Sequence, residues 1–303
     1  MSNPAVTHDP HALTTLDDSE SLNQRMERLV NLSRKHHCDT FSQLQWPDSL
    51  DTSQWWLPPE LLSIHGTAWE QQFSEQQQRT LSKWECINQF SLNVEGEREL
   101  IHLLSLQLYA PQMPGMERYL HHFLDEENKH LWFFGEFCRR YGGKIYDSKK
   151  VAIATPQQSP QMAFFLLFAR IYLFEEIGAH YNEVAARHPG VNPFVRQIHQ
   201  LHHNDEARHI AFGRSVLANS KELAFAASSA EQRLQAHQHL QQYLQLSLAS
   251  LYQPAMYRDS GIAGGVAMRQ QLLADPARRA YHREVMLKRP LRFMAELQLP
   301  LEV

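Results

Sequence analysis

The octapeptide HHNDEARH, residues 202 to 209, places His202, Glu206 and His209 four and then three residues apart. On an α-helix those offsets bring an imidazole, a carboxylate and a second imidazole to one face, within reach of a single point. Nitrogen and oxygen donors gathered in that way suit a metal ion. A second Glu-x-x-His, Glu127 with His130, stands in DEENKH at 125 to 130. Two such pairs on facing helices form the framework on which four-helix proteins hold two carboxylate-bridged metal ions. That framework needs one further inward carboxylate from each of the other two helices.

Both carboxylates are available. Glu97 interrupts an apolar stripe between Val94 and Ile101, with Glu95 and Glu99 as rivals, and Glu175 follows Phe164, Phe168 and Ile171 on one face, with Glu176 as its rival. A buried carboxylate in either place is costly unless a cation neutralises it. Glu97 lies 30 residues before Glu127, and Glu175 lies 31 before Glu206. Helix breakers fall near both midpoints, so each pair can meet at one level of an antiparallel hairpin. Glu126 and Asp205 each precede a candidate ligand Glu and are placed to accept hydrogen bonds from the far nitrogens of the imidazoles. This donor set, free of thiolate, suits two iron or manganese ions, and ligand type alone also admits zinc. His102, His121, His122, His203, His237 and His239 lack that carboxylate framework and are expected at the surface or in structural roles.

The elements that must position these residues are helices. The stripe Ile87, Phe90, Val94, Ile101, Leu104, Leu108 predicts a helix over about 68 to 110. PQMPG then breaks the chain, a second helix covers about 115 to 141, and YGGK stops it. A third helix is predicted over 160 to 187 and a fourth over 193 to 218, separated by RHPGVNP. Further helices are expected over 19 to 36, 221 to 252 and 276 to 296, with SGIAGG at 260 to 265 as a loop. Residues 1 to 18 have the composition of a disordered tail, and WPDSLDTSQWWLPPE at 46 to 60 reads as an ordered loop on the main body. The fold expected is all-α: one domain over 19 to 303, with a four-helix metal-binding bundle at about 68 to 218 and additional N- and C-terminal helices.

Composition narrows the partners. A formal net charge of −4 with signs interspersed gives no basic stripe for nucleic acid. The longest apolar run, MAFFLLFARIYLF, is 13 residues and contains Arg170, too short for the roughly 20 that span a bilayer. Three dispersed cysteines, Cys38, Cys86 and Cys138, and a start without a signal-peptide pattern point to the cytoplasm.

Glu97, Glu127-x-x-His130, Glu175 and His202-x-x-x-Glu206-x-x-His209 together resemble the p-aminobenzoate N-oxygenase (AurF-like) family, non-haem di-iron enzymes with a ferritin-like core. His202 is the discriminating residue, because ferritins and bacterial multicomponent monooxygenases lack that third histidine. The interval from Glu97 to Glu127 is shorter than the family leads one to expect. The resemblance covers about 85 to 215. It implies a monooxygenase that reduces dioxygen at two irons and passes oxygen to an amine, an arylamine in the family, giving a hydroxylamine, nitroso or nitro product. It also implies that Glu127 and Glu206 bridge the ions, that Glu97 and His130 complete one, and that Glu175, His202 and His209 complete the other. Phe123, Phe134, Phe164 and Phe168 read first as plain core, with the lining of a chamber for a flat aromatic guest as the alternative, and Arg170 or Arg208 would either hold a substrate carboxylate or serve structural pairs. No GxGxxG and no cluster-binding cysteine set occurs, so electrons would come from an external donor, and a homodimer is compatible. The alternatives on the same framework are a ferroxidase or peroxide scavenger, a hydroxylase of a non-amine substrate, and a metal-free helical protein whose acids and histidines pair with one another.

Overall fold

The computed structural model describes residues 21–147 and 158–303, so the expected tail at 1 to 18 lies outside the described residues. Among the described residues eleven α-helices follow in order: α1 (Leu22–Lys35), α2 (Thr40–Gln43), α3 (Glu75–Ser105), α4 (Glu117–Phe137), α5 (Pro160–Arg187), α6 (Pro193–Ala226), α7 (Ala230–Ser250), α8 (Pro254–Asp259), α9 (Gly265–Ala274), α10 (Pro276–Tyr281) and α11 (Lys288–Glu296). No strand occurs among the described residues, and none of their helices is long and apolar enough to cross a membrane.

Local chemistry sets where the four long helices begin. Ser74 caps α3 in a reciprocal box with Gln77. Ser159 caps α5 and Asn192 caps α6, each followed by a proline whose fixed φ suits the first helical position. After α4 one wide turn, Cys138–Gly142, ends at Gly143, whose φ of +66° gives the left-handed residue that closes a helix.

The α3/α4 and α5/α6 hairpins form the bundle. α1 packs on α4 and α6, α7 covers α5, and α8 lies on α3. The tryptophan loop is ordered, as its composition suggested. Trp56 and Leu57 donate their backbone N–H groups to Ser82 Oγ at 2.9 and 2.8 Å, and Asn192 N–H donates to the Trp55 carbonyl at 2.8 Å. α3 and α5 approach closely at Gly96, where a Cβ would meet the Phe174 ring at 2.2 Å.

Several expectations need correction. α3 runs from 75 to 105 rather than 68 to 110, because the segment before Ser74 is tied into turns instead. α6 continues to Ala226, and the helix expected from 221 begins only at the Ser229 cap. The segment 276 to 296 is α10, a wide turn at His282–Met286, and α11. Leu100, not Ile101, is buried in the stripe of α3. His239 is buried rather than at the surface, since α7 turns that face toward its neighbours.

Candidate metal centre

One point inside the bundle receives side chains from all four long helices. Glu97 comes from α3, Glu127 and His130 from α4, Glu175 from α5, and His202, Glu206 and His209 from α6; all seven are buried. The rivals face elsewhere. Glu95 pairs with Arg98, Glu99 pairs with Arg170 at 2.6 Å, and Glu176 accepts from the Tyr172 hydroxyl at 2.9 Å.

Ligand atoms of Glu127, His130, Glu206 and His209 converge within 4.8 Å of one another, as do those of Glu97, His130 and His202. His209 Nδ1 lies 2.7 Å from Glu127 Oε1 and 3.5 Å from Glu206 Oε1. His202 Nε2 lies 2.6 Å from Glu206 Oε1 and 3.6 Å from Glu97 Oε1. His202 thus lies beside Glu206, Glu97 and His130, and against α5, the helix that carries Glu175, through Asn182. It stands one helical turn before Glu206 and His209 nearly one turn after, and both present an inward nitrogen to the same oxygen, Glu206 Oε1, at 2.6 and 3.5 Å.

The inward atoms are what a cation needs. Both oxygens of Glu97 and of Glu206, Glu127 Oε1, Glu175 Oε1, His202 Nε2 and His209 Nδ1 are buried without a hydrogen-bond partner. Orphans of this kind are expensive when buried, and here they point at one another. Burial and the neighbouring acids, Glu127 beside Glu97 and Glu206 beside Glu175, hold both carboxyls well above the ordinary range. Against burial, His209 and His130 hold Glu127 low, and His202 holds Glu206 low. His130 is pushed up to about 9, against burial, by Glu127 and Asp205, and His209 is raised by Glu127. Four carboxylates and three imidazoles buried around one point, with inward atoms that lack partners, form a donor set that fits a pair of divalent cations.

The outward nitrogens are also committed. His130 Nε2 lies 3.1 Å from Asp205 Oδ2, and His209 Nε2 lies 2.9 Å from Glu126 Oε2, so α4 orients the imidazole of α6 and α6 that of α4. Both carboxylates receive Arg208, which also donates to Ser33 Oγ. Arg208 is thereby committed to the carboxylates of the centre, and Arg170 pairs with Glu99.

Two residues that sequence reasoning missed complete the surroundings. Asn182, seven residues after Glu175 and so on nearly the same face, donates from Nδ2 to His202 Nδ1 at 2.6 Å, and its Oδ1 accepts from His199 Nδ1 at 3.0 Å. A His202 that gives Nε2 to a cation carries its proton on Nδ1 and needs an acceptor there. A half-turn of the amide supplies Oδ1. Asn182→Leu should then weaken metal binding roughly tenfold or more while the protein stays folded; a metal titration giving wild-type affinity would remove this role from Asn182.

The aromatic residues divide. Phe123 stacks on His209 with centroids 4.0 Å apart, and Phe134 sets its edge to His202 at 4.8 Å. Phe164 and Phe168 pack on each other as core, the first of the two readings their sequence allowed.

A family model described as P-aminobenzoate N-oxygenase AurF matches residues 19–297. No curated protein matches the chain.

Proposed function

Because the chain belongs to the p-aminobenzoate N-oxygenase family it is an oxidoreductase of the non-haem di-iron class, and we propose that it uses dioxygen to oxidise the nitrogen of an amine, an aromatic one by the family's example. The observation that carries this reading is the buried cluster of partnerless acceptors shared by four helices. Glu97 and His130 would hold one ion and Glu175, His202 and His209 the other, with Glu127 and Glu206 shared between them. Iron bound there would supply the electrons that reduce dioxygen and the means of passing one oxygen atom to nitrogen.

The chain's own groups set the conditions for that chemistry. Asp205 and Glu126 keep protons on the outward nitrogens of His130 and His209, which fixes each ring and strengthens its inward nitrogen as a donor. Phe123, Phe133 and Phe134 close the cluster against water, protecting reactive species from hydrolysis and side reactions. Two electrons per oxygen inserted come from an external donor, and a homodimer in the cytoplasm is compatible with this reading.

The test is anaerobic loading with ferrous iron followed by an arylamine and isotopically labelled dioxygen. The expected result is labelled hydroxylamine, nitroso or nitro product in amounts that follow the iron content. Dioxygen uptake independent of any amine, with the label ending only in water, would favour a ferroxidase or peroxide scavenger instead.

A further inference from the structure

His202, Asn182 and His199 form a chain that admits two complete sets of hydrogen bonds. In the set observed, Asn182 Nδ2 donates to His202 Nδ1 at 2.6 Å and His199 Nδ1 donates to Asn182 Oδ1 at 3.0 Å. His202 then carries its proton on Nε2, toward Glu206 Oε1 at 2.6 Å, and His199 carries its own on Nδ1. In the second set every donor and acceptor exchanges roles. His202 is protonated on Nδ1 and donates to Oδ1, the amide is turned by half, and Nδ2 donates to Nδ1 of a His199 whose proton sits on Nε2. Mixed sets bring two donors or two acceptors together in the interior, where an unpaired polar atom is costly.

The choice between the sets is made at the His202 end. Asn182 and His199 are fully buried and His202 is 2 % exposed. His199 Nε2 has no hydrogen-bond partner, so nothing on its far side commits that nitrogen to donate or to accept. Burial, with a smaller contribution from His202, pushes His199 down to about 3, which leaves the ring one proton and two places for it. Phe90 packs against that ring with centroids 5.0 Å apart. At the other end, His202 Nε2 faces Glu206 and Glu97, and a cation held there takes the lone pair of that nitrogen. Only the second set is then satisfied.

We infer that His199 is a positioning residue of the metal centre: through Asn182 it supports His202 in the tautomer that binds metal, and its own proton moves from Nδ1 to Nε2 when metal occupies His202. The inference rests on the metal reading of the cluster. Each ring keeps one proton throughout, so the change is one of tautomer and not of charge. Coupling of this kind is reciprocal. What His199 accepts from Asn182 therefore also bears on how tightly the centre holds metal.

The test uses protein with nitrogen-15 in its histidines, first free of metal and then loaded with zinc, and long-range proton–nitrogen NMR to read which nitrogen of each ring is protonated. Zinc suits the same nitrogen and oxygen donors and does not broaden the spectrum. His199, assigned by the signals lost in His199→Gln, is expected on Nδ1 without metal and on Nε2 with it. In Asn182→Leu it should keep one tautomer whether or not zinc is bound. His199→Gln offers an amide that both donates and accepts, and should bind zinc as tightly as the wild type. His199→Leu leaves an Asn182 N–H unpaired in the loaded form and should bind zinc about fivefold more weakly. Should that variant fail to fold, the wild-type spectra decide alone. A His199 that keeps one tautomer while zinc occupies His202, or a His199→Leu affinity equal to the wild type's, would overturn the inference and leave the metal centre standing. A chain that takes up neither zinc nor iron would overturn both.

Discussion

Glu127→Gln and Glu206→Gln should each reduce bound metal from about two ions per chain to a small fraction of one, with helical content retained. Each is the carboxylate nearest to inward nitrogens from two directions: Glu127 faces His209 and His130, and Glu206 faces His202, His209 and His130. An amide keeps the volume but loses the charge, and with it the ability to serve two cations. The fold survives because these side chains are not its core; helix caps and the apolar faces of α3 to α6 hold the hairpins together. Elemental analysis after iron reconstitution, beside far-ultraviolet circular dichroism, makes the check. A variant that stays helical and keeps two ions per chain would remove both residues from the ligand set, and a wild-type chain that takes up no metal would return the metal-free alternative. Glu97→Gln and Glu175→Gln are the informative companions, since burial and the neighbouring acids already favour the neutral form of both carboxyls in the metal-free chain. They should leave the metal-free protein's stability nearly unchanged and weaken loading.

Arg208→Met is expected to lower the melting temperature of the metal-free protein by roughly 10 °C. The guanidinium is buried, donates to Glu126 at 2.7 Å and pairs with Asp205 and Ser33. Removing one partner of a buried ionic network leaves charge unbalanced, at a cost of about 3–5 kcal/mol. A chain of this size shifts by about 2–4 °C per kcal/mol. Metal affinity should fall as well, by roughly 10- to 100-fold, because the acceptors that orient His130 and His209 lose the group that anchors them. Arg208→Lys should recover little, since one ammonium cannot reproduce the planar fork that reaches Glu126, Asp205 and Ser33 together. Differential scanning calorimetry of the metal-free protein and a chelator-competition titration read the two effects separately. An unchanged melting temperature would show that water or another side chain already balances these carboxylates.

Much of the centre was legible because helical spacing converts sequence offsets into direction. HxxxExxH, the second ExxH and the intervals of 30 and 31 residues named the residues that converge. The apolar stripe singled out Glu97, and the structure turns Glu95 and Glu99 toward arginines instead. The Asp and Glu preceding the ligand glutamates likewise sit against the imidazoles of the opposite hairpin. What stayed hidden depends on how helices face one another. Asn182 and His199 matter only because α5 and α6 run antiparallel, and neither has an uncommon neighbour in sequence to mark it. Phe164 and Phe168 carried no cue to distinguish a chamber wall from plain core. Spacing set His202 on the face of Glu206 and His209, and the structure puts its Nε2 beside Glu206 Oε1.

Arg208 and Asn182 differ in reach, and the difference sets how the two halves of the centre can be tuned. Arg208 touches Asp205 and Glu126 together, and through them one imidazole at each end. A change there moves both halves in the same sense, as a common-mode adjustment. Asn182 touches His202 alone among the inward imidazoles, so a change there is differential. The protein thus carries separate controls for the overall strength of the pair and for the imbalance between its members, which gives an engineer two independent handles on one buried site.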